Sequence, residues 1–332
     1  MSLDIKTSVV ESRRQTYANV ARRQGADRPA SRYDEATYDM QPTVNFHYRP
    51  TWDPGYLLYD PSRTAIRMDD WYALRDPRQL YYATYTIARA RMMEAEEKNF
   101  DFVQKRGLLE SVDDAWVDKL RRYMLPLRHY EWGANMNNTA ITDLGYGTAI
   151  TQAASFAAMD RLGIAQILSR VGLLIDGNSG DTLKGAKEAW LNDEMWQGVR
   201  KMVEDSFVLR DWFELFVAQN FAMDGVVYPL IYDHCDAQEA RHGGGALSML
   251  NEFMIDWFAD HCRWVDAVLK VAAAESAENR ELISGWASAW AGRAMQAFRP
   301  IAAFALEAGA EDAMAAIQAA LKKRANSIGL EI

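Results

Sequence analysis

The sequence predicts an all-α protein, a large helical bundle over residues 76–332 preceded by an extended arm over residues 1–75. Three observations predict it. From residue 77 onward, apolar side chains recur at helical spacing in long runs separated by glycine-bearing breaks. No strand-type alternation extends beyond a few residues, and no repeat or low-complexity tract interrupts the pattern. Five of the nine prolines (Pro29, Pro42, Pro50, Pro54 and Pro61) precede residue 76, a density that blocks long helices there.

The arm also carries Tyr33, Tyr38, Phe46, Tyr48, Trp52, Tyr56, Tyr59 and Trp71. Disordered tails are poor in aromatics, so this segment is read as pressed onto a surface, its own or a partner's. Phe46, Tyr48, Trp52, Tyr56 and Tyr59 are the candidate interface residues. Asp76-Pro77 reads as a helix start, with Asp as N-cap and Pro at the first helical position. The run that follows stops at Gly107. Ser111 with Asp114 resembles a capping box and opens a helix broken near Pro126. Residues 127–142 form the next helix, 143–148 a connection, and 149–171 a helix with Ala154, Ala157 and Ala158 on one face for close packing. A loop at 174–182 follows, then helices over 183–205 and 207–232. Gly243, Gly244 and Gly245 break the chain, and helices over 246–274, 278–308 and 310–326 complete it.

Apolar residues make up 49% of the chain, ample for a core. A net charge of −9 with no basic block argues against nucleic acid as a partner. No stretch approaches the roughly 18 apolar residues of a membrane span, and the N-terminus has no signal-peptide core. Cys235 and Cys262 make no metal-type pair and suit a reducing compartment. A soluble, cytoplasmic protein is expected. There is no phosphate loop, no dinucleotide-binding glycine motif and no G-x-S-x-G.

One stretch invites a metal reading. In "QEARHGGG" (238–245), Glu239 and His242 have the Glu-x-x-His spacing with which helix bundles hold iron. Such ligands need helix on both sides, and three glycines follow at once, each costing about 1 kcal/mol relative to Ala in a helix. The pair is therefore expected at the end of the bundle, exposed and without function. None of the other four histidines has an acid three residues earlier: Pro126 precedes His129, Ile231 precedes His234, and Phe258 precedes His261. His47 lies in the arm. The tryptophan- and methionine-rich runs at 211–221 and 249–258 read as core or interface stripes.

Longer strings carry a resemblance. "NFHYRPTWDP" (45–54), "DPRQLYYATY" (76–85), "PLRHYEWGANMNN" (126–138), "AAMDRLGIAQILSRVGLL" (157–174), "EDSFVLRDWFELFVAQN" (204–220) and "CRWVDA" (262–267) resemble the β subunit of bacterial multicomponent monooxygenases, above all the phenol hydroxylase type. The resemblance implies a ferritin-like bundle, similar to the ribonucleotide reductase small subunit. It also implies a hydroxylase of (αβγ)2 form, in which a di-iron centre in α activates O2 and β carries no metal. A reductase with FAD and an iron–sulfur cluster brings electrons from NADH, and a small regulatory protein binds the hydroxylase. The reaction is phenol to catechol. This chain is then a scaffolding subunit with no cofactor, catalytic residue or metal of its own.

Laid on this sequence, the α-subunit ligand pattern puts a lone carboxylate at Glu131 and the first Glu-x-x-His at Arg161 and Ile164, neither of which can bind iron. The second lone carboxylate falls near Gln219, and the second pair has only Glu239 and His242 as candidates. If Arg161 points inward it needs an acidic partner, and Glu131 is the natural one; if it points to solvent, no such pair forms. The rival readings are a stand-alone ferritin-like oxidase using Glu131, Glu239 and His242, a toluene- or alkene-type β subunit, and a helical adaptor unrelated to oxygenases.

Overall fold

The computed structural model describes residues 16–41, 49–109, 114–241 and 244–332. Among them there is no β-strand. Two short helices, α1 (Ala18–Gln24) and α2 (Arg32–Thr37), lie in the N-terminal segment. The bundle follows: α3 (Tyr82–Lys105), α4 (Asp114–Tyr123), α5 (Leu127–Leu144), α6 (Thr148–Ile175), α7 (Asp181–Asn192) and α8 (Glu194–Ser206). Next come α9 (Trp212–Phe216), α10 (Asp224–Tyr228) and α11 (Asp236–Arg241), joined without a break by π-helical segments at Val217–Met223 and Pro229–Cys235. The last three are α12 (Gly245–Glu275), α13 (Ala277–Leu306) and α14 (Ala310–Ser327).

The π-bulged rod over 212–241 runs through the middle. Nearly every side chain from Trp212 to Tyr232 is buried, which is why this stretch reads apolar all round. The rod packs against α5, α12, α13 and α14. Helices α5 and α6 form a tight antiparallel pair joined at Gly145 and Gly147, the latter at φ 91°. Ala153, Ala154 and Ala157 are buried on α6, and Asn135 Nδ2 of α5 donates to the carbonyl of Ala158 at 2.8 Å. Trp196, Trp212, Trp257 and Trp264 are the largest fully buried side chains.

Four boundaries differ from the sequence expectation. Helix α3 begins at Tyr82, not Pro77. The Asp76 carboxylate turns to the Arg78 backbone N–H and guanidinium, both at 2.9 Å, and Gln79 takes φ 53°, outside the helical region. Thr84 Oγ1 instead accepts the Tyr81 N–H at 3.0 Å and caps the helix. The single helix expected over 183–205 is two, because Asp193 caps α8 through the Met195 N–H at 3.0 Å. The rod starts at Trp212, five residues later than expected, where Asp211 accepts from the N–H groups of Phe213 and Glu214. It then continues to Arg241, past the expected end at 232. Ser111, the expected capping residue, lies outside the described residues.

The N-terminal segment is not simply extended. Besides α1 and α2 it holds 3-10 turns at Pro61–Arg63 and Trp71–Ala73. It is strapped to the bundle by the Tyr33 hydroxyl accepting from Asp76 N–H (2.9 Å), Gln41 Oε1 accepting from Gly147 N–H (2.7 Å) and the Asp211 carboxylate accepting from Ala65 N–H (2.7 Å). Trp71 is buried against Tyr146 and Trp212. Trp52 and Tyr56 are exposed, Tyr56 under the Arg63 guanidinium, and Tyr59 is half-buried. Phe46 and Tyr48 lie outside the described residues.

Close approach of α5 and α8 rests on Gly133, where an added Cβ would sit 2.5 Å from Val203 Cγ1. Gly133→Ala is expected to cost about 1–3 kcal/mol through overpacking, read as a lowered midpoint in chemical denaturation with an unchanged m-value.

An arginine held by two carboxylates at the bundle centre

Four helical elements each send a polar side chain into one buried point. Helix α5 supplies Glu131, α6 supplies Arg161, the rod supplies Asp224 and Tyr228, and α12 supplies Trp257 and His261. On α6, Ala157, Arg161, Ile164 and Leu168 follow the spacing of one inward face, so the arginine stands in an otherwise apolar stripe. The rod reaches the centre differently. Gln219 Nε2 donates to Asp224 Oδ1 at 3.0 Å, although the two are five residues apart. Five residues return to the same face in a π-helix, not in an α-helix.

Arg161 is fully buried. Its guanidinium donates to Glu131 Oε2 at 3.0 Å, to the Tyr228 hydroxyl at 3.0 Å, and to Asp224 Oδ2. Its Cζ lies 4.4 Å from the Trp257 ring centroid, a desolvated cation–π contact of roughly 2 kcal/mol. Tyr228 donates its hydroxyl proton to Glu131 Oε1 at 3.0 Å, and Tyr130 donates to Asp224 Oδ1 at 2.7 Å. Gln219 Nε2 also reaches the Tyr130 hydroxyl at 3.1 Å, and Asn137 Nδ2 donates to Gln219 Oε1 at 2.8 Å. His261 Nε2 is 3.1 Å from Asn220 Oδ1 and 3.8 Å from Asp224 Oδ2, with its ring stacked on Trp257 at 4.4 Å.

The charges do not balance as drawn, since one guanidinium faces two carboxylates. Burial raises the proton affinity of both acids, and Arg161 opposes it. Glu131 is pushed up to about 7, with Asp224 adding to the rise. A proton on Glu131 makes the cluster neutral. His261 is held well below its ordinary value by burial and by the nearby Arg161, Arg78, Arg324 and Arg89, so it stays a neutral imidazole. The neighbouring Asp160 faces away from this cluster and accepts from Tyr85 (2.9 Å), Arg89 (2.8 Å) and Trp257 Nε1 (2.8 Å), tying α3 to α6 and α12.

Of the residues singled out in the sequence, Glu131 and Arg161 meet here. Ile164 is fully buried in the core on the same face of α6, and Gln219 is one hydrogen bond from Asp224. Glu239 is elsewhere, and it is not exposed: it is 2% accessible and lies 3.2 Å from Lys119 Nζ, near the end of α11. Helix α11 ends at Arg241, but Lys119 of α4 covers the glutamate. His242 lies outside the described residues. Sequence reasoning missed Asp224, Tyr228 and His261. Among the described residues, no group of three or more His, Cys, Asp or Glu is arranged to hold a metal ion.

A family model described as methane/phenol/alkene hydroxylase matches residues 52–276. The chain belongs to the methane/phenol/alkene hydroxylase family. Within that family it is 49% identical over 331 residues to the phenol 2-monooxygenase oxygenase component DmpL of Pseudomonas sp. (strain CF600), covering 100% of this chain and 99% of that one. It is 25% identical over 290 residues to the hydroxylase component subunit beta of the toluene-4-monooxygenase system of Ectopseudomonas mendocina, covering 84% of this chain and 85% of that one. The phenol hydroxylase structure from Pseudomonas sp. OX1 superposes with a TM-score of 0.93 at 46% identity, covering 99% of both chains.

Hydroxylase bundles of the di-iron type draw their ligands from four helices, two giving a lone Glu and two giving Glu-x-x-His. The side chains at this centre do not fit that group. A guanidinium offers no lone pair, and it takes the carboxylate oxygens a metal would need.

The titration of Glu131 has a testable sign. Its folded value, about 7, lies above the ordinary 4.5. The folded chain therefore holds an extra proton between those pH values. The stabilisation is full below pH 4.5 and is lost as pH rises through 7, at up to about 1.4 kcal/mol per pH unit. Gln at this position cannot ionise. The thermal midpoint of Glu131→Gln minus that of the wild type is therefore expected to rise from pH 5 to pH 8.

Proposed function

We propose that the chain is the metal-free β subunit of a phenol-type multicomponent hydroxylase, acting as the scaffold of an iron-bearing partner. The observation that carries this reading is the Arg161 guanidinium lodged between Glu131 and Asp224. On this reading Glu131, Arg161 and Ile164 stand at vacated ligand positions. Asp224 takes the place of the second lone carboxylate, and Phe258 with His261 on α12 takes the place of the second Glu-x-x-His. Tyr228 stacks on Phe258 at 4.7 Å, which puts that position beside the cluster. The likeness to a phenol 2-monooxygenase oxygenase component across the whole chain favours phenol over toluene as the system's substrate.

The rest of the machinery is then assigned to other chains. A di-iron α subunit activates O2, and a γ subunit completes an (αβγ)2 assembly. A reductase with FAD, an iron–sulfur cluster and NADH supplies electrons, and a regulatory protein binds the hydroxylase. The net chemistry is insertion of one oxygen atom into phenol to give catechol. No helix among the described residues is long and apolar enough to cross a membrane, in keeping with action in the cytoplasm. The exposed Trp52 and Tyr56 of the arm are the partner-facing residues, and an obligate interface of this kind buries roughly 2,000–5,000 Å2.

The test is co-expression with the neighbouring hydroxylase subunits, purification of the complex, separation of its chains and iron analysis of each. Iron with the partner and none with this chain is expected, together with no phenol oxidation by this chain alone. Two tightly held irons per copy of this chain would overturn the reading in favour of a stand-alone oxidase.

A further inference from the structure

We propose that the seam between the N-terminal arm and the end of α5 is a socket for a carboxylate carried by an apolar segment of the partner subunit. The proposal rests on the reading above in taking an iron-bearing subunit as the partner. It adds which surface receives that subunit and the chemistry received.

The socket is built on a folded hook. Arg49 donates to the carbonyls of Pro54 at 3.3 Å and Gly55 at 3.1 Å. The Asp60 carboxylate accepts from the N–H groups of Leu57 and Ser62, both at 3.0 Å. These bonds fix the turns that carry Trp52 and Tyr56. The base of the hook is tied to the bundle, with Ala65 N–H donating at 2.7 Å to Asp211, the residue that caps the rod. Between hook and bundle lies an open cavity of about 330 Å3. Trp52, Tyr56 and Arg63 line it from the arm, and Leu144, Leu209 and Arg210 from the bundle.

The charge of the cavity is opposite to that of the chain. The chain carries −9, yet the cavity holds two arginines against one acid, Asp53. Arg63 is buried, with its Cζ 4.4 Å from the Tyr56 ring centroid and its Nη1 donating to Asp53 Oδ2 at 2.8 Å. Its Nε is buried with no partner among the described residues. Arg210 is exposed and makes no ion pair among the described residues. The two guanidinium groups therefore offer more N–H donors than Asp53 can accept from. Their planar forks match a carboxylate. The aromatic and leucine walls keep water from such a pair and strengthen it.

An apolar track leads to the socket. On α5, Trp132, Met136, Ala140 and Leu144 recur every fourth residue along about 18 Å of helix. Trp132 and Met136 are exposed. Phe207 meets Trp132 edge-on at 6.2 Å, and with the exposed Val208 it carries the patch to Leu209 and Arg210. A contiguous exposed apolar patch marks a protein interface, so the occupant is a protein segment and not a small acid. It lays apolar residues along α5 and places an acidic side chain, or its C-terminal carboxylate, between Arg63 and Arg210.

The test uses the co-expressed hydroxylase complex. Arg210→Glu reverses an exposed charge and leaves the core untouched, and Arg280→Glu, exposed on α13, is the control. Sedimentation is expected to show association of this chain with the iron-bearing subunit weakened at least about tenfold by Arg210→Glu. The control is expected to change it by less than about twofold. Arg210→Lys keeps the charge and puts a primary amine in the socket. Carbodiimide coupling of that variant complex, followed by mass spectrometry of the linked peptides, is expected to join this amine to an Asp, a Glu or the C-terminus of the iron-bearing subunit. Association unchanged by Arg210→Glu overturns the proposal, as does coupling only to Asp53 or to a second copy of this chain. In those cases a complex that keeps its iron in the partner leaves the β-subunit reading standing. Absence of any iron-bearing partner from the wild-type complex overturns both.

Discussion

The structure depends on one buried guanidinium. Arg161 has no access to water, and removing its charge from solvent costs several kcal/mol before any contact forms. What offsets that cost is geometric: Glu131, Asp224 and the Tyr228 hydroxyl accept its protons, and the Trp257 face covers it. Each of those groups comes from a different turn of the fold. The cluster therefore does more than pair charges. It requires α5, α6, the rod and α12 to stand at one mutual register, because a buried charge left without partners is far worse than a hydrophobic contact slightly misplaced.

The surrounding arrangement follows from that requirement. The π segments set the phase of the rod so that Gln219, Asp224 and Tyr228 share a side, and Gln219 passes the constraint on to Tyr130 and Asn137 of α5. Asp160 and Arg161 are neighbours on α6 yet serve opposite networks, one tying α3 and the other the centre, with Trp257 touching both. A helical bundle of the methane/phenol/alkene hydroxylase family here keeps a polar centre built on one arginine and two acids. One fixed positive charge on the chain organises the acids and the tyrosine hydroxyl around it.

Much of this was legible in the sequence, and the parts that were not have physical causes. Helices announced themselves wherever a 3.6-residue stripe faced the core, as in α6 and α12, and the Arg161–Glu131 encounter follows once Arg161 is placed on the inward face of α6. Asp224 was hidden because helical periodicity turns it away from Gln219, and only a π turn brings the two together. His261 is not legible because Phe258 holds the position three residues before it, so no Glu-x-x-His spacing marks a histidine that lies at the centre. The burial of Glu239 is not legible because nearby glycines predict a helix end but say nothing of what packs over it, here Lys119 of α4. The start of α3 lies later than Asp76-Pro77 predicts because the Asp76 carboxylate binds Arg78 instead of capping a helix. Local side-chain hydrogen bonds of that kind compete with capping and leave no trace in composition.

The most direct test of the central claim is a double-mutant cycle on unfolding free energy. It compares wild type, Arg161→Met, the pair Glu131→Gln/Asp224→Asn, and all three substitutions together, at pH 7. If the guanidinium and its two carboxylates act as one unit, Arg161→Met alone costs about 3–5 kcal/mol. The combined variant is then far more stable than the sum of its parts, with a coupling energy of at least about 2 kcal/mol. A coupling energy near zero, with the losses simply adding, would contradict the account.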